Sequence, residues 1–352
     1  MFLTYHKISG VIKKMIKKWC IIGMAILFVL TTKNFFAQEV VTSATVVEQI
    51  NPFEQAIKDS TSSDPYTRRR AAEQFGTLRD VRAVPYLKKL LKDNNPFVRQ
   101  AAVDSLGLLR TRDAVDEIVN VLESDNEVQV RQSAVVALGY IGDPKVVPTL
   151  TKILKSETEL PAVKYAVCNT LSILRSTESV PVLVELINVS DKNLRRSVIY
   201  ALGKISHPES IKALREAIDK NLNDEFVVVD IIRNLVDMGD KDSVEKFKVL
   251  YSTPVVSQKV KFYSAYALAK LQKDNTVLPT IKKELANKDD TIRQLAVDAI
   301  RFIGDKESLT ILKKMKETES SVYIKQWIDI AIKQLETKFP KVGQQKNLQS
   351  DK

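Results

Sequence analysis

The sequence predicts an all-α protein, folded as an α-solenoid of stacked two-helix units. The first observation is a repeat of 31 to 34 residues that extends from about residue 64 to residue 337. The second is helical apolar periodicity inside each copy, without the alternation of apolar and polar residues that strands require. One anchor residue, usually basic, marks the first helix of every copy. The nine anchors are Arg68, Arg99, Arg131, Lys164, Arg195, Val229, Lys261, Arg293 and Lys325.

Each first helix is predicted to begin four residues before its anchor. Six of these nine positions are Asp, Asn or Ser, whose side chains accept hydrogen bonds from the free N–H groups of a helix start. Pro65, Pro96 and Pro161 follow at the first helical position, where a missing N–H group does no harm. The predicted caps are Asp64, Asn95, Glu127, Leu160, Asp191, Glu225, Ser257, Asp289 and Ser321.

Two columns of the first helix are predicted to be buried. The position seven residues after the anchor is always apolar, and it holds Phe75, Leu106, Leu138, Leu171, Leu202, Val236, Leu268, Ile300 and Ile332. The position three residues after the anchor is mostly small, and it holds Ala71, Ala102, Ala134, Val167, Val198, Ile232, Ser264, Ala296 and Ile328. Helical glycines at Gly76, Gly107, Gly139 and Gly203 predict close helix crossings, because glycine otherwise costs a helix about 0.5–1 kcal/mol.

The first helix is predicted to end about eleven residues after its anchor, with Gly142 and Gly304 in left-handed conformation. Asp113, Asp143, Asp240 and Asp305 are interpreted as turn residues that cap the second helix. The second helices are predicted to open on Val84, Val115, Val147, Val180, Ile211, Val244, Val277 and Leu309.

The motifs D-P-x-x-R, A-A-x-x-L-G and G-D-x-x-x-x-P-x-L resemble the short HEAT-like repeat of phycobilin lyases. The resemblance covers residues 52–337 and implies a right-handed superhelix of stacked two-helix HEAT-like repeats. Tetratricopeptide repeats share the period but need a Trp-Leu-Gly-Tyr pattern that the sequence lacks, and armadillo repeats carry a third helix. Because such repeats serve unrelated proteins as binding surfaces, the resemblance implies a fold more strongly than a function.

Four segments are predicted. Residues 1–37 have a basic start, an apolar core over residues 21–30 and Ala37 before a break, as in a signal peptide. The alternative is an uncleaved N-terminal anchor, and Met15 is a second candidate start. Residues 38–51 are predicted to be a linker, and residues 52–337 a half-unit, eight full units and a closing half-unit. Residues 338–352 are predicted to be a basic, disordered tail.

Charge argues against a nucleic-acid partner. The formal charge of +11 includes six lysines of residues 1–37, which leaves +5 for the rest of the chain. The tail holds +3 of that remainder, so the repeats carry only about +2. A nucleic-acid binder concentrates its basic residues on the folded body. The tail itself suggests a third hypothesis, binding to an anionic surface, besides the two functions given below.

Catalytic chemistry finds little support in the sequence. His207 occupies a turn position, and Cys168 lies among apolar columns of a helix, so we interpret them as a solvated residue and an inert buried thiol. A HEAT-like hydroxylase family binds iron through His-Glu pairs, and this sequence has none. Nucleotide-binding and hydrolase motifs are also missing. We therefore expect no enzyme activity, no cofactor and no metal.

The sequence favours a non-catalytic protein-interaction scaffold or adaptor in the periplasm or cell envelope. Its partner, a protein or peptide, is predicted to bind along the concave second-helix face, and a membrane is contacted only through an uncleaved leader. The alternative is a lyase-like or other cofactor-handling enzyme accessory. The candidate face comprises Lys88, Lys89, Asn120, Glu123, Lys152, Lys155, Glu185, Asn188, Arg215, Asp219, Lys282, Lys313 and Lys314. Its mixed charges suit a protein better than a polyanion.

Overall fold

The computed structural model describes residues 51–340, which contain eighteen α-helices and no strand. In chain order the helices are Pro52–Asp59 (α1), Pro65–Leu78 (α2), Val84–Leu90 (α3), Pro96–Leu109 (α4), Val115–Ser124 (α5), Val128–Ile141 (α6), Val147–Lys155 (α7), Pro161–Leu174 (α8), Val180–Glu185 (α9), Lys192–Ile205 (α10), Pro208–Lys220 (α11), Glu225–Asp237 (α12), Val244–Ser252 (α13), Gln258–Gln272 (α14), Leu278–Glu284 (α15), Asp290–Ile303 (α16), Lys306–Thr318 (α17) and Val322–Lys338 (α18). The fold is therefore the predicted all-α repeat solenoid.

The chain divides into two compact units, residues 1–55 and residues 56–352. Of the first unit the structure describes only residues 51–55, at the start of α1. Within residues 56–340 the even-numbered helices are the first helices of the repeat units. Each of them packs against the next even-numbered helix. The odd-numbered helices are the second helices, which pack against the first helices and form the other layer.

The predicted starts of the first helices are confirmed at eight of nine positions. Asp64, for example, accepts hydrogen bonds from the backbone N–H groups of Tyr66 and Thr67. The exception is the sixth unit, where Asp224 caps the helix and Glu225 is its first residue. That helix begins one residue early because the Asp224 carboxylate accepts the N–H group of Val227.

Both predicted core columns are buried along the stack. All nine residues of the small column are fully buried or nearly so, and eight of the nine in the apolar column are at most 3% exposed. Ile332 is the exception, and it is half-buried. It lies on α18, the last helix within residues 51–340, and no further first helix covers it within that range.

Seven of the nine first helices end at or next to a left-handed residue, as predicted, but only two of these residues are glycine. Gly142 adopts φ +73°, whereas Gly304 has φ −61° and is extended, so the prediction for Gly304 is wrong. Gly239, after α12, has φ +71°, and the other five left-handed positions hold residues with side chains, four of them basic. They are Arg79, Arg110, Arg175, Ser206 and Lys273.

Six second-helix elements open with a short 3₁₀ turn that the sequence did not predict. After this turn α3, α5, α7, α9 and α13 begin at the predicted valine, and α15 begins one residue later, at Leu278. The predictions for Ile211 and Leu309 are wrong, because α11 and α17 are helical three residues earlier, from Pro208 and Lys306. In α17 a capping box between Asp305 and Ser308 provides hydrogen bonds to the free backbone N–H groups at the helix start.

Glycine allows neighbouring first helices to approach closely. A Cβ atom on Gly107 of α4 would lie 2.9 Å from both the Cα and the Cβ of Ala137 on α6. One on Gly139 of α6 would lie 3.1 Å from the Thr170 hydroxyl of α8. The helical glycines are therefore contact points between layers, as predicted.

The predicted leader, residues 1–37, lies outside the described residues, as do almost all of the linker and the tail. Within residues 51–340, every helix is too short or too polar to cross a membrane.

Candidate interaction surfaces

A ladder of buried ion pairs joins the loops between units. The guanidinium of Arg99 donates to both carboxylate oxygens of Asp125, at 2.6 and 2.8 Å, and to the backbone carbonyl of Asp93, at 2.8 Å. The side chains of Arg99 and Asp125 are only 16% and 5% exposed. Each such arginine therefore clamps the loop before its helix to the loop at the end of its unit.

The same clamp recurs at Arg68–Asp93, Arg131–Glu159 and Arg293–Glu319. Hydrogen bonds from Arg68 hold the pKa of Asp93 below its ordinary value, against the opposing effect of burial. The acid lies at the end of the arginine's own unit; Asp93, for example, lies two residues before Asn95, the cap of the next first helix.

The ladder weakens in the middle of the stack. In the fourth unit the anchor is Lys164, and the neighbouring Tyr165 donates its hydroxyl to Asp191 at 2.9 Å instead. In the fifth unit Arg195 donates to the neutral amide oxygen of Asn221 at 2.8 Å. The clamps that carry full charge on both partners are thus confined to the two ends of the stack.

The predicted second-helix face consists largely of ion pairs between successive layers. Lys88 of α3 contacts Glu117 of α5 at 2.8 Å. Lys152 of α7 contacts Glu123 at 3.1 Å on one side, and Lys155 contacts Glu185 of α9 at 2.7 Å on the other. The structure therefore brings these candidate residues together in ion pairs between the second helices of neighbouring repeat units, and we call each such pair a rung.

The rungs continue in the second half of the stack. Asp219 of α11 accepts from Lys246 at 2.6 Å, and Arg215 contacts both Asp240 and Asp242. Lys282 of α15 contacts Asp305 at 2.9 Å and Glu307 at 2.5 Å. Lys313 contacts Glu336 at 2.6 Å. Nine of the thirteen candidate residues thus have an ionic partner.

The remaining four candidate residues are exposed. Asn188 accepts a hydrogen bond from the amide of Asn221 at 3.2 Å. The side chains of Lys89, Asn120 and Lys314 make no hydrogen bond or ion pair with other described residues. A cleft of 510 Å³ opens beside Asn120, between α3 and α5. Repeat register identified this face but could not show which side chains pair across layers.

A second surface lies on the first helices, and sequence reasoning missed it. Five apolar side chains on α4, α6, α8 and α10 are 38% to 54% exposed, and we call them the first-helix patch. They are Leu108, Val136, Tyr140, Ile173 and Tyr200. All lie five or nine residues after an anchor, where the first unit has Glu73 and Thr77. The change from polar residues in the first unit to apolar residues at the same positions of later units could have indicated this surface from the sequence.

A polar groove of 420 Å³ adjoins the end of this patch, on α8, α10 and α12. Tyr165 and Tyr200 line it together with Lys204, whose amino group lies 5.5 Å from the centre of the Tyr200 ring. Arg233 also lines the groove, and it is exposed and forms no ion pair with another described residue. The groove therefore offers cationic and hydrogen-bonding groups beside an apolar surface.

Cys168 is an inert buried thiol, as interpreted from the sequence, whereas His207, interpreted as a solvated turn residue, is a half-buried helix cap. Cys168 is completely buried, and burial raises the pKa of its thiol to about 12, so the thiol stays protonated at neutral pH. His207 is the cap of α11 and accepts the backbone N–H group of Glu209 at 3.3 Å.

Comparison with known proteins supports the repeat assignment. The HEAT repeats family matches residues 50–127 and 115–197, and the PBS lyase HEAT-like repeat matches residues 194–220. No curated protein matches the chain.

Solved structures that match the chain include the CpcE–CpcF complex of phycocyanin lyase from Nostoc, at 21% identity and a TM-score of 0.41, covering 74% of this chain and 96% of that one. The Escherichia coli protein YibA matches at 17% identity and 0.47, with coverages of 71% and 91%. Human deoxyhypusine hydroxylase matches at 17% and 0.32, with coverages of 71% and 95%.

Proposed function

Because the chain is a HEAT-like repeat protein, we propose that it acts as a non-catalytic scaffold that binds a protein partner along its second-helix face. We further propose that it does so in the periplasm or cell envelope, after export directed by residues 1–37. HEAT repeats present long surfaces assembled from many layers, which suits them to hold extended partners.

The observation that carries this proposal is the row of inter-layer rungs on the second-helix face. Pairs such as Lys155–Glu185 and Asp219–Lys246 link consecutive layers, so the face is one continuous surface rather than separate helices. Exposed ion pairs contribute little to stability, about 0–1 kcal/mol each. Their charges stay accessible to a partner of complementary pattern, which can orient the complex.

Site-specific photo-crosslinking tests the proposed face. A photoreactive residue is placed singly at Lys89, Asn120 and Lys314, which are exposed and take no part in a rung. In cells that produce the full chain, we expect at least two of these positions to capture the same protein. Thr77, which is exposed on the first-helix side, is the matched control and should capture none of it.

Capture by Thr77 alone would refute the second-helix face as the binding surface. Charge reversal gives an independent check, because Lys89→Glu and Lys314→Glu alter the face without breaking a rung. The pair of substitutions should weaken recovery of the crosslinked partner. A purified chain that carries a chromophore or a stoichiometric metal would favour the cofactor-handling alternative instead.

Fractionation tests the proposed location. We expect the envelope fraction to contain a chain whose first residue is Gln38, identified by mass spectrometry of its N-terminal peptide. An intact chain in the membrane fraction would indicate an anchor, and an intact chain free in the cytosol would contradict export.

A further inference from the structure

We propose that the first-helix patch and the cations around it form a second docking site, which takes an acidic amphipathic helix of a partner protein. This site lies on the first helices of the repeat, whereas the second-helix face lies on the second helices. The proposal therefore goes beyond the proposed function and can fail separately from it.

The apolar part of the site is an aligned row. Leu108, Tyr140 and Ile173 occupy the same position, nine residues after the anchor, on the successive helices α4, α6 and α8. They are 50% to 54% exposed. Val136 and Tyr200, five residues after their anchors, widen the row by one helical turn. Scattered exposed apolar residues need no explanation, but a contiguous set marks an interaction surface.

The spacing of the row fits a helix. Helices in contact are about 8–10 Å apart. A partner helix advances about 10.5 Å in seven residues, so apolar residues at i and i+7 would meet successive layers. Four layers span about 24–30 Å, the length of roughly 16–20 helical residues.

An extended peptide fits this surface less well. The backbone groups of the first helices are bonded within those helices, so an added strand would find no row of partners for its own N–H and C=O groups. A helix satisfies its backbone internally and contributes only its apolar face.

The charge of the partner follows from the cations around the row. Arg110 and Arg175 end α4 and α8, two residues beyond Leu108 and Ile173, and both are exposed. Lys204 and Arg233 lie in the groove at the other end of the patch. None of these four cations forms an ion pair with another residue in the range 51–340.

The backbone conformation of the two arginines also occurs at Arg79, Ser206 and Lys273, and it is therefore a property of these helix ends in general. Arg110 and Arg175 have φ of 49° and 48°, in the left-handed region where glycine is favoured and side-chain-bearing residues cost about 1 kcal/mol or more. Basic residues near a helix C-terminus interact favourably with its dipole, by about 0.3–1 kcal/mol, which offsets part of that cost. An acidic partner would add a reason to keep a cation at this position.

The acids on the same face do not cancel these cations. Asp230 is paired with Arg196 at 2.7 Å. Asp104 is hydrogen-bonded by Ser133 at the Leu108 end of the patch. Asp237, at the edge of the groove, makes no ion pair with another described residue. Among the acids within α4, α6, α8, α10 and the groove, Asp104 and Asp237 thus have no ionic partner in the described residues, against four cations without one. This excess of positive charge favours an acidic partner.

The test uses the full chain and two synthetic probes of about 20 residues. Both probes are fluorescent helices with leucine at i, i+3 and i+7 along one face. One carries glutamate on its other faces, and the other carries lysine. We expect the acidic probe to bind at least about tenfold more tightly than the basic one, with the difference shrinking as salt is added.

Variants then locate the site. Ile173→Glu and Tyr140→Glu should each weaken binding of the acidic probe by about tenfold or more. Arg110→Ala combined with Arg175→Ala should weaken it severalfold and reduce its salt dependence. Tyr66→Glu is the control, because Tyr66 is 78% exposed on α2, outside the patch, and it should leave binding unchanged. Circular dichroism checks that each variant keeps its helix content.

Three outcomes would overturn the inference. The first is equal binding of the acidic and basic probes, or no binding of either. The second is self-association of the wild-type chain that Ile173→Glu abolishes, which would assign the patch to a second copy. The third is tighter probe binding by a chain lacking residues 38–50. That result would indicate that the protein's own N-terminal segment occupies the first-helix patch. Lys89→Glu and Lys314→Glu should not affect the probe, which separates this test from that of the second-helix face.

Discussion

Replacing Gly107 by alanine should destabilise the protein, although alanine is the better helix former. A Cβ atom at this position meets the Cα and Cβ of Ala137 at 2.9 Å, closer than real contacts of this kind. The backbone of α6 cannot rotate away as a flexible side chain could. Overpacking of this sort costs about 1–3 kcal/mol. The gain in helix propensity is about 0.5–1 kcal/mol, so the expected net loss is about 0–2.5 kcal/mol, with a central value near 1 kcal/mol.

Thermal unfolding followed by circular dichroism measures the effect, and a loss of that size should lower the Tm by a few degrees. Thr77→Ala is the matched control, since Thr77 is exposed near the end of α2 and alanine should raise the Tm slightly there. Gly139→Ala should cost less than Gly107→Ala, because its nearest neighbour is the side chain of Thr170 at 3.1 Å, which can adjust. A Gly107→Ala protein more stable than wild type would refute close packing between α4 and α6.

Three further measurements test the repeat. Leu138→Ala should cost about 2–5 kcal/mol in denaturant unfolding because Leu138 is completely buried, and a negligible cost would contradict its place in the core. Leu160→Ser should raise stability by about 1 kcal/mol, because Leu160 caps α8 without a side-chain hydrogen bond, and an unchanged Tm would argue against that cap. Burial alone would raise the pKa of Asp305, but Lys282 and Ser308 lower it to about 2, below the unfolded value of about 3.9. The contribution of the Asp305 carboxylate to stability is therefore present above about pH 4 and lost as the pH falls towards 2. The Tm difference between wild type and Asp305→Asn should accordingly shrink between pH 6 and pH 2.5. A constant difference would contradict the lowered pKa.

Repeat register accounts for how well the core was predicted. A residue such as Leu138 is buried because of its own place in a periodic pattern, and that place can be read from the chain alone. The caps are equally local, since Asp64 and its two N–H donors lie within three residues of each other. In the sixth unit the fixed register predicted Glu225 as the cap, but the cap is Asp224, so the prediction is wrong there by one residue.

The backbone conformation at the helix ends was harder to predict, because it depends both on the type of residue at the end and on the turn that follows. The left-handed position was placed correctly, but Gly304 is extended, while Arg79 and Arg175 adopt the strained conformation. Glycine content therefore did not reveal which ends turn in this way. The backbone angle depends on the turn that follows, and in the last full unit a capping box at Asp305 replaces the usual 3₁₀ turn.

The sequence by itself determined that this protein is a stack of two-helix layers, which columns are buried and where the first helices begin. Each of these properties belongs to a single residue or to a few neighbours along the chain. Only the tertiary structure decided that most candidate residues of the second-helix face, such as Lys155 and Asp219, are held in rungs. It also showed that Tyr140 and Ile173 form one exposed row with unpaired arginines beside it. These properties depend on pairs of residues about 30 positions apart, whose distance is set by how one layer rests on the next.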